Sequence, residues 1–237
     1  MHNSANVAAI SHATTVDAMS LPTDELCEIG RGVQYRVFDI GNKRILKAPL
    51  TPDESQAVVE SWASTSQRPQ QQLPDYLQVG QEGSGYVQQL IRAHPHIAAT
   101  LGNPQFESNG HYTQDFVTTL GDALTKSTFD TSRQIIDKYI GLILLHWRYG
   151  FCERVFNFTL NNGIDANGEV ILLDFGELSL TKVEVAERIA GKRWQFSYSC
   201  TAAITPELRE YYLNAMQRQL TYETLTATWS TFSIHAK

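Results

Sequence analysis

The chain has 237 residues, 42% of them hydrophobic and 19% charged, enough for one large domain or two lobes sharing a cleft. A net charge of −6 with no basic run excludes an evident nucleic-acid-binding surface. Three scattered cysteines (Cys27, Cys152 and Cys200), with no Cys-x-x-Cys or His-Glu-x-x-His, exclude a disulfide framework and a dedicated zinc site.

Residues 1–24 lack the basic start and apolar core of a secretory signal, and a flexible tail is expected there. "LCEIG", "YRVFDIG" and "KRILKAPL", between residues 26 and 50, alternate as strands and turn at Gly41-Asn42. "TPDE" then offers Thr51 as N-cap, Pro52 at the first helical position and Glu54 as capping-box partner. A helix over 52–66 follows, with Ala57, Glu60 and Ala63 on one side. The glutamine cluster "RPQQQLP" at 68–74 is a loop. "YLQVG" and "GYVQQLI" predict two more strands around a Glu82-Gly83 turn, making a sheet of five.

After residue 91 the pattern is helical. Ile136, Ile140, Ile143 and Trp147 share one face of a helix over 131–149, which Gly150 ends. Its apolar run "YIGLILL" is too short to span a bilayer, so a cytoplasmic protein is expected. "NNGIDANGEVILLDF" predicts a hairpin turning at Asn167-Gly168, and further helices start at Thr181, Thr205 and Thr221.

Three stretches carry chemistry. "GRGVQYRV" at 30–37 sets Gly30 and Gly32 before a strand, where bare backbone suits a phosphate or simply makes a tight turn. Lys47, in the apolar "RILKA", either reaches phosphates beside that turn, with Glu60 as its partner, or is an edge-strand lysine. In "VILLDFGEL", Asp174 ends a buried strand, where a carboxylate must be paired or used. Asn162 lies twelve residues earlier on the other arm of the hairpin. Its amide oxygen and the Asp174 carboxylate suit magnesium, although Asn161 and Asn162 also suit a turn.

Glycine turn, strand lysine, helix glutamate, long helix, asparagine and Asp-Phe-Gly in this order resemble the protein-kinase-like superfamily, from about residue 26 to 178. The resemblance implies an α+β, two-lobed fold. A small β-rich N-lobe spans 25–90, with five strands and one helix, and a pared-down helical C-lobe spans 91–237. It also implies ATP and Mg²⁺ as cofactors. Gly30 and Gly32 would cover the phosphates and Val37 the adenine. Lys47, paired to Glu60, would hold the α- and β-phosphates. Asn162 and Asp174 would bind magnesium, and Gln88, Gln89 and Leu90 would form the hinge.

The departures are specific. Tyr35 replaces the family's third loop glycine, which makes the loop bulkier and self-blocking. Asn157 stands where the catalytic aspartate is expected, with Val155-Phe156 before it and Thr159 in place of a lysine. Glu153, four residues upstream, is either a replacement base or a solvated loop glutamate. Only 61 residues follow Asp-Phe-Gly, without an Ala-Pro-Glu motif, a trimming similar to that of minimal and atypical bacterial kinases, delivered effectors among them. The expected function is ATP- and Mg-dependent phosphotransfer with Lys47, Asn157 and Asp174 as the catalytic set. The sequence leaves its acceptor open among a protein, a small molecule and a lipid headgroup. The alternatives are a nucleotide- or partner-binding pseudokinase and an AMP transferase.

Overall fold

Alternating side chains form β1 (Cys27–Arg31), β2 (Tyr35–Asp39) and β3 (Arg44–Pro49) in the computed structural model, which describes residues 26–65, 73–196 and 204–230. Residues 1–24, most of the glutamine cluster at 68–74 and Cys200 lie outside the described residues. Gly41, Asn42 and Lys43, all at positive φ, turn β2 into β3, and Asp39 Oδ1 accepts from the Gly41 amide at 2.8 Å. The expected capping box opens α1 (Pro52–Thr65). Thr51 Oγ1 accepts from the Glu54 amide at 3.3 Å, and Glu54 Oε2 accepts from the Thr51 amide at 2.8 Å.

The two strands expected in "YLQVG" and "GYVQQLI" are instead part of one 21-residue helix, α2 (Leu73–Ala93). Buried positions 80, 83, 86, 87 and 90 recur at steps of three and four, the period of a helix face. Gly83 makes no turn; it lets the helix close on its neighbour. A Cβ there would stand 2.2 Å from the Phe175 carbonyl oxygen. The boundary expected at residue 90 therefore falls inside α2. The fourth and fifth strands are β4 (Gln105–Phe106) and β5 (Tyr112–Asp115).

Antiparallel pairing gives the strand order β1-β2-β3-β5-β4. The register sets Gly30, Val37, Lys47, Tyr112 and Phe106 side by side in one row across the sheet.

A short strand β6 (Thr118–Thr119) leads to α3 (Leu120–Lys126) and α4 (Phe129–Trp147). Helix α4 starts earlier than the apolar spacing predicts, because Thr128 Oγ1 accepts from the Thr131 amide at 3.3 Å and caps it. Ile136, Ile140, Ile143 and Trp147 are all buried, each side chain contributing about 1.5–3 kcal/mol. Next come β7 (Cys152–Glu153), the short α5 (Phe158–Asn161), and a hairpin of β8 (Asn162–Ile164) and β9 (Val170–Leu172). The hairpin turns at Asn167-Gly168 as expected, with Asp165 Oδ1 accepting from the Asn167 and Glu169 amides at 2.9 and 2.8 Å.

The last strand, β10 (Leu178–Ser179), pairs with β7. Thr181, Thr205 and Thr221 cap α6 (Lys182–Ala190), α7 (Pro206–Gln219) and α8 (Tyr222–Thr228), as the sequence predicts. The architecture is α+β with a small antiparallel sheet. Among the described residues no helix is long and apolar enough to cross a membrane.

Candidate functional site

Lys47 occupies the middle of the sheet row and is only 7% exposed. Its ammonium donates to the Leu173 carbonyl at 2.5 Å and stands 5.4 and 5.8 Å from the ring centroids of Tyr112 and Phe175. Burial lowers its pKa, while the Asp174 charge acts in the opposite sense. The phenol of Tyr112, beside it in the row, is buried without a hydrogen-bond partner among the described residues.

The expected Lys47–Glu60 pair is not formed. Glu60 is exposed, and its Oε1 accepts from Gln56 Nε2 at 2.6 Å. It sits about 140° round α1 from the buried Ser55, at 100° per residue, so it faces water. Glu54 is no substitute, because it pairs with Arg36 and caps α1. The helix that meets the site is α2. It brings Gly83 to Phe175, while its Glu82 is exposed and accepts from Gln78 Nε2 at 2.9 Å.

The expected hinge at Gln88, Gln89 and Leu90 is also corrected, since these residues belong to α2 and Leu90 is wholly buried. The sheet instead joins the helices through residues 116–119. The Phe116 amide donates to the Lys43 carbonyl at 2.8 Å, and Thr118 pairs with Ile164. A Cβ on Gly163 would meet Val117 Cγ2 at 2.5 Å, so this linker lies directly on the hairpin. Thr119, which caps α3 three residues before Asp122, is the sequence signal that marks it.

The hairpin brings Asn162 and Asp174 to one end of the site. The Leu173 and Asp174 amides donate to the Asn161 carbonyl at 2.7 and 3.3 Å. Asp174 Oδ1 accepts from the Gly176 amide at 2.9 Å, and Oδ2 has no hydrogen-bond donor among the described residues. Asn162 is 1% exposed and donates through Nδ2 to Glu153 Oε2 at 3.2 Å, which turns its carbonyl oxygen the other way. A carboxylate and an amide oxygen fit a hard cation such as magnesium.

Of the two readings the sequence leaves open for Glu153, the solvated one is overturned: Glu153 is 3% exposed on β7. Its Oε1 accepts from the Asn157 amide at 2.6 Å and from Asn161 Nδ2 at 3.0 Å, and Tyr139 donates to Oε2 at 3.5 Å. Burial pushes its pKa up to about 7, against the three nitrogen donors that favour the charged form. Asn157 stands at the N-cap of α5 without a side-chain capping bond.

Over this site lies the glycine-bearing turn, closed by the Gly32 amide donating to the Tyr35 carbonyl at 2.9 Å. A Cβ on Gly32 would meet nothing within 4 Å, so its backbone stands open. Gln34 Nε2 reaches down to the Gly176 carbonyl at 3.1 Å, and the Tyr35 hydroxyl lies 3.2 Å from Ser84 Oγ on α2. The bulk expected of Tyr35 is therefore present at the site: its ring meets Tyr112 edge-on with centroids 5.2 Å apart while its hydroxyl reaches α2, and Gln34 enters beside it.

No protein-family model matches the chain, and no curated protein matches it. Among solved structures it is similar to the Rv3197–erythromycin complex from Mycobacterium tuberculosis, at 12% identity and a TM-score of 0.40, covering 81% of this chain and 54% of that one. It is also similar to the Rio2 kinase–ADP/Mg²⁺–phosphoaspartate complex from Chaetomium thermophilum. There the identity is 13% and the TM-score 0.42, over 84% of this chain and 69% of that one. The chain spans about half the length of the first of these.

Proposed function

We propose that the chain is a kinase-like phosphotransferase that takes ATP with magnesium between the five-stranded sheet and the helical remainder, and passes phosphate to a protein or small-molecule acceptor. The observation that carries the reading is the buried ammonium of Lys47, which feels the Asp174 carboxylate from a sheet row shared with Gly30 and Val37. Buried lysines are rare unless they have a task. Here the ammonium rests on one neutral carbonyl, which the charged oxygens of a phosphate outcompete.

Gly30 and Gly32 present backbone to the phosphates. Val37 and the 116–119 linker flank the base, in place of Gln88–Leu90. The buried phenol of Tyr112, beside Lys47 in the row and without a hydrogen-bond partner among the described residues, is a further donor that a shift at the site would make available. Asp174 and Asn162 would hold magnesium, which supplies neutralisation of phosphate charge in the transition state.

A second reading is favoured by one observation. Glu153 is buried and committed to the loop, and Asn157 carries no carboxylate, so no acid between β7 and β8 is placed as a general base. This suits a nucleotide-binding protein without transfer, or an AMP transferase that needs no base there. ATP labelled separately on the α- and γ-phosphates distinguishes them. Transfer of the γ label supports phosphotransfer, transfer of the α label means nucleotidyl transfer, and binding without either means the pseudokinase. No nucleotide binding at all removes the reading.

A further inference from the structure

Glu153 is the single acid between Gly150 and Asn162, and it faces three asparagines with no cation paired to it among the described residues. Its two oxygens offer about four acceptor positions, and four donors fill them: the Asn157 amide, the Asn161 and Asn162 side-chain nitrogens, and the Tyr139 hydroxyl. A side-chain amide has a donor end and an acceptor end. Whatever captures the nitrogen of Asn162 therefore also decides where its oxygen points.

We propose that Glu153 is a positioning residue, which holds Asn162 by Nδ2 and thereby commits Oδ1 of Asn162 to the cation shared with Asp174. The inference rests on the function proposed above. A carboxylate suits this task because it only accepts. A neutral amide at the same place has a donor end of its own, and Asn162 is then free to reverse. The same carboxylate fixes the Asn157 amide and Asn161, so the stretch between the missing base and the metal ligand is set by one buried acid. Outer-shell partners of this kind typically govern metal affinity 10–100-fold.

The test is Glu153→Gln, with Mn²⁺ plus ATP as the probe and free Mn²⁺ read by electron paramagnetic resonance, alongside Tm. The glutamine oxygen keeps the shorter bonds to Asn157 and Asn161, and its NH₂ meets the NH₂ of Asn162. The Mn²⁺ Kd is expected to weaken roughly 10–100-fold. The double exchange Glu153→Gln with Asn162→Asp restores a donor–acceptor contact and is read against Asn162→Asp alone, because the new carboxylate binds Mn²⁺ by its own charge. The double exchange is expected to bind Mn²⁺ more tightly than Asn162→Asp, and equal or weaker binding overturns the proposal. A lowered Tm with unchanged Mn²⁺ Kd in Glu153→Gln overturns the proposal, because it marks the acid as structural only. If Glu153→Gln does not fold, the comparison of the double exchange with Asn162→Asp decides alone. A parent protein that binds no Mn²⁺·ATP overturns the functional reading together with this inference, whereas equal binding by parent and Glu153→Gln overturns this inference alone.

Discussion

The side-chain amide of Gln34 donates to the carbonyl of Gly176 at 3.1 Å and so ties the glycine-bearing turn to Asp-Phe-Gly across 142 residues of sequence. The contact exists because two glycines make room for it. A Cβ on Gly176 would fall 1.8 Å from Gln34 Oε1, and one on Gly80 would fall 2.5 Å from Gln34 Cδ. Both clashes are with the end of a flexible side chain, which can move. The clash at Gly83 is with the Phe175 carbonyl, and backbone cannot move so cheaply.

This difference predicts unlike outcomes for two glycines on α2. Gly85 has nothing within 4 Å of where a Cβ would be, so Gly85→Ala gains about 0.5–1 kcal/mol from helix propensity. Gly83→Ala forces α2 away from Phe175 and costs about 1–3 kcal/mol, as overpacking does. Urea midpoints of the two variants read the contrast directly, and equal shifts would refute the contact of α2 with Asp-Phe-Gly.

For Lys47 and Glu60 the structure predicts a split that a conventional lysine–glutamate pair would not give. Mg-ATP is expected to raise the Tm of the parent, because a ligand of the folded state stabilises it by mass action. Lys47→Met should remove most of that rise. Glu60→Ala should leave it unchanged and shift stability by no more than about 0.5 kcal/mol, as an exposed position does. Loss of the nucleotide response in Glu60→Ala would mean that α1 rotates inward when nucleotide binds.

What was legible in the sequence had local causes. The Asn162/Asp174 hairpin followed from Asn167-Gly168 and the apolar run before Asp174, and the capping threonines announced their helices. Glu60 was misplaced because α1 has a weak apolar face, which leaves its rotation undetermined by pattern. The stretch 73–93 was misjudged because glycines serve turns and close helix contacts alike, and only the partner, Phe175, tells which. Glu153 was illegible for a related reason. An acid in a loop belongs to water unless donors surround it, and its donors come from Asn157, Asn161, Asn162 and Tyr139, which only the fold assembles.

A pH prediction concerns His146, which is buried on α4, stacks on Phe151 with ring centroids 4.4 Å apart, and lies 3.4 Å from Thr100 Oγ1. Burial lowers its pKa from 6.5 to about 3. The unfolded chain therefore binds a proton that the folded chain refuses. The resulting stability is complete above pH 6.5 and is lost as pH falls through about 3. The loss is on the order of 5 kcal/mol at 1.36 kcal/mol for each pH unit. Urea unfolding of the parent and of His146→Gln across this range isolates the effect, since every other group titrates in both. Parallel pH curves would show that the imidazole charges without opening the fold.

The last prediction concerns the missing base. Asp174→Ala should abolish phosphate transfer, because it removes the carboxylate that holds the metal at the phosphates. Asn157→Ala should lower transfer about tenfold, less than the 10²–10⁴ that a general base typically contributes. Asn157→Asp is the sharper variant. A carboxylate at this position stands next to Glu153, whose Oε1 accepts from the Asn157 backbone amide at 2.6 Å and which itself feels the Asp174 charge. Like charges raise the pKa of a new acid, which moves it toward the neutral range where a general base works best. Transfer of the γ-phosphate is therefore expected to rise in Asn157→Asp, measured as initial rate with γ-labelled ATP. An unchanged or lower rate would show that the nucleotide lies in another pose and that Asn157 belongs to it. Equal and complete loss in Asn157→Ala and Asp174→Ala would make the Asn157 amide as indispensable as the metal ligand, and would overturn its modest role.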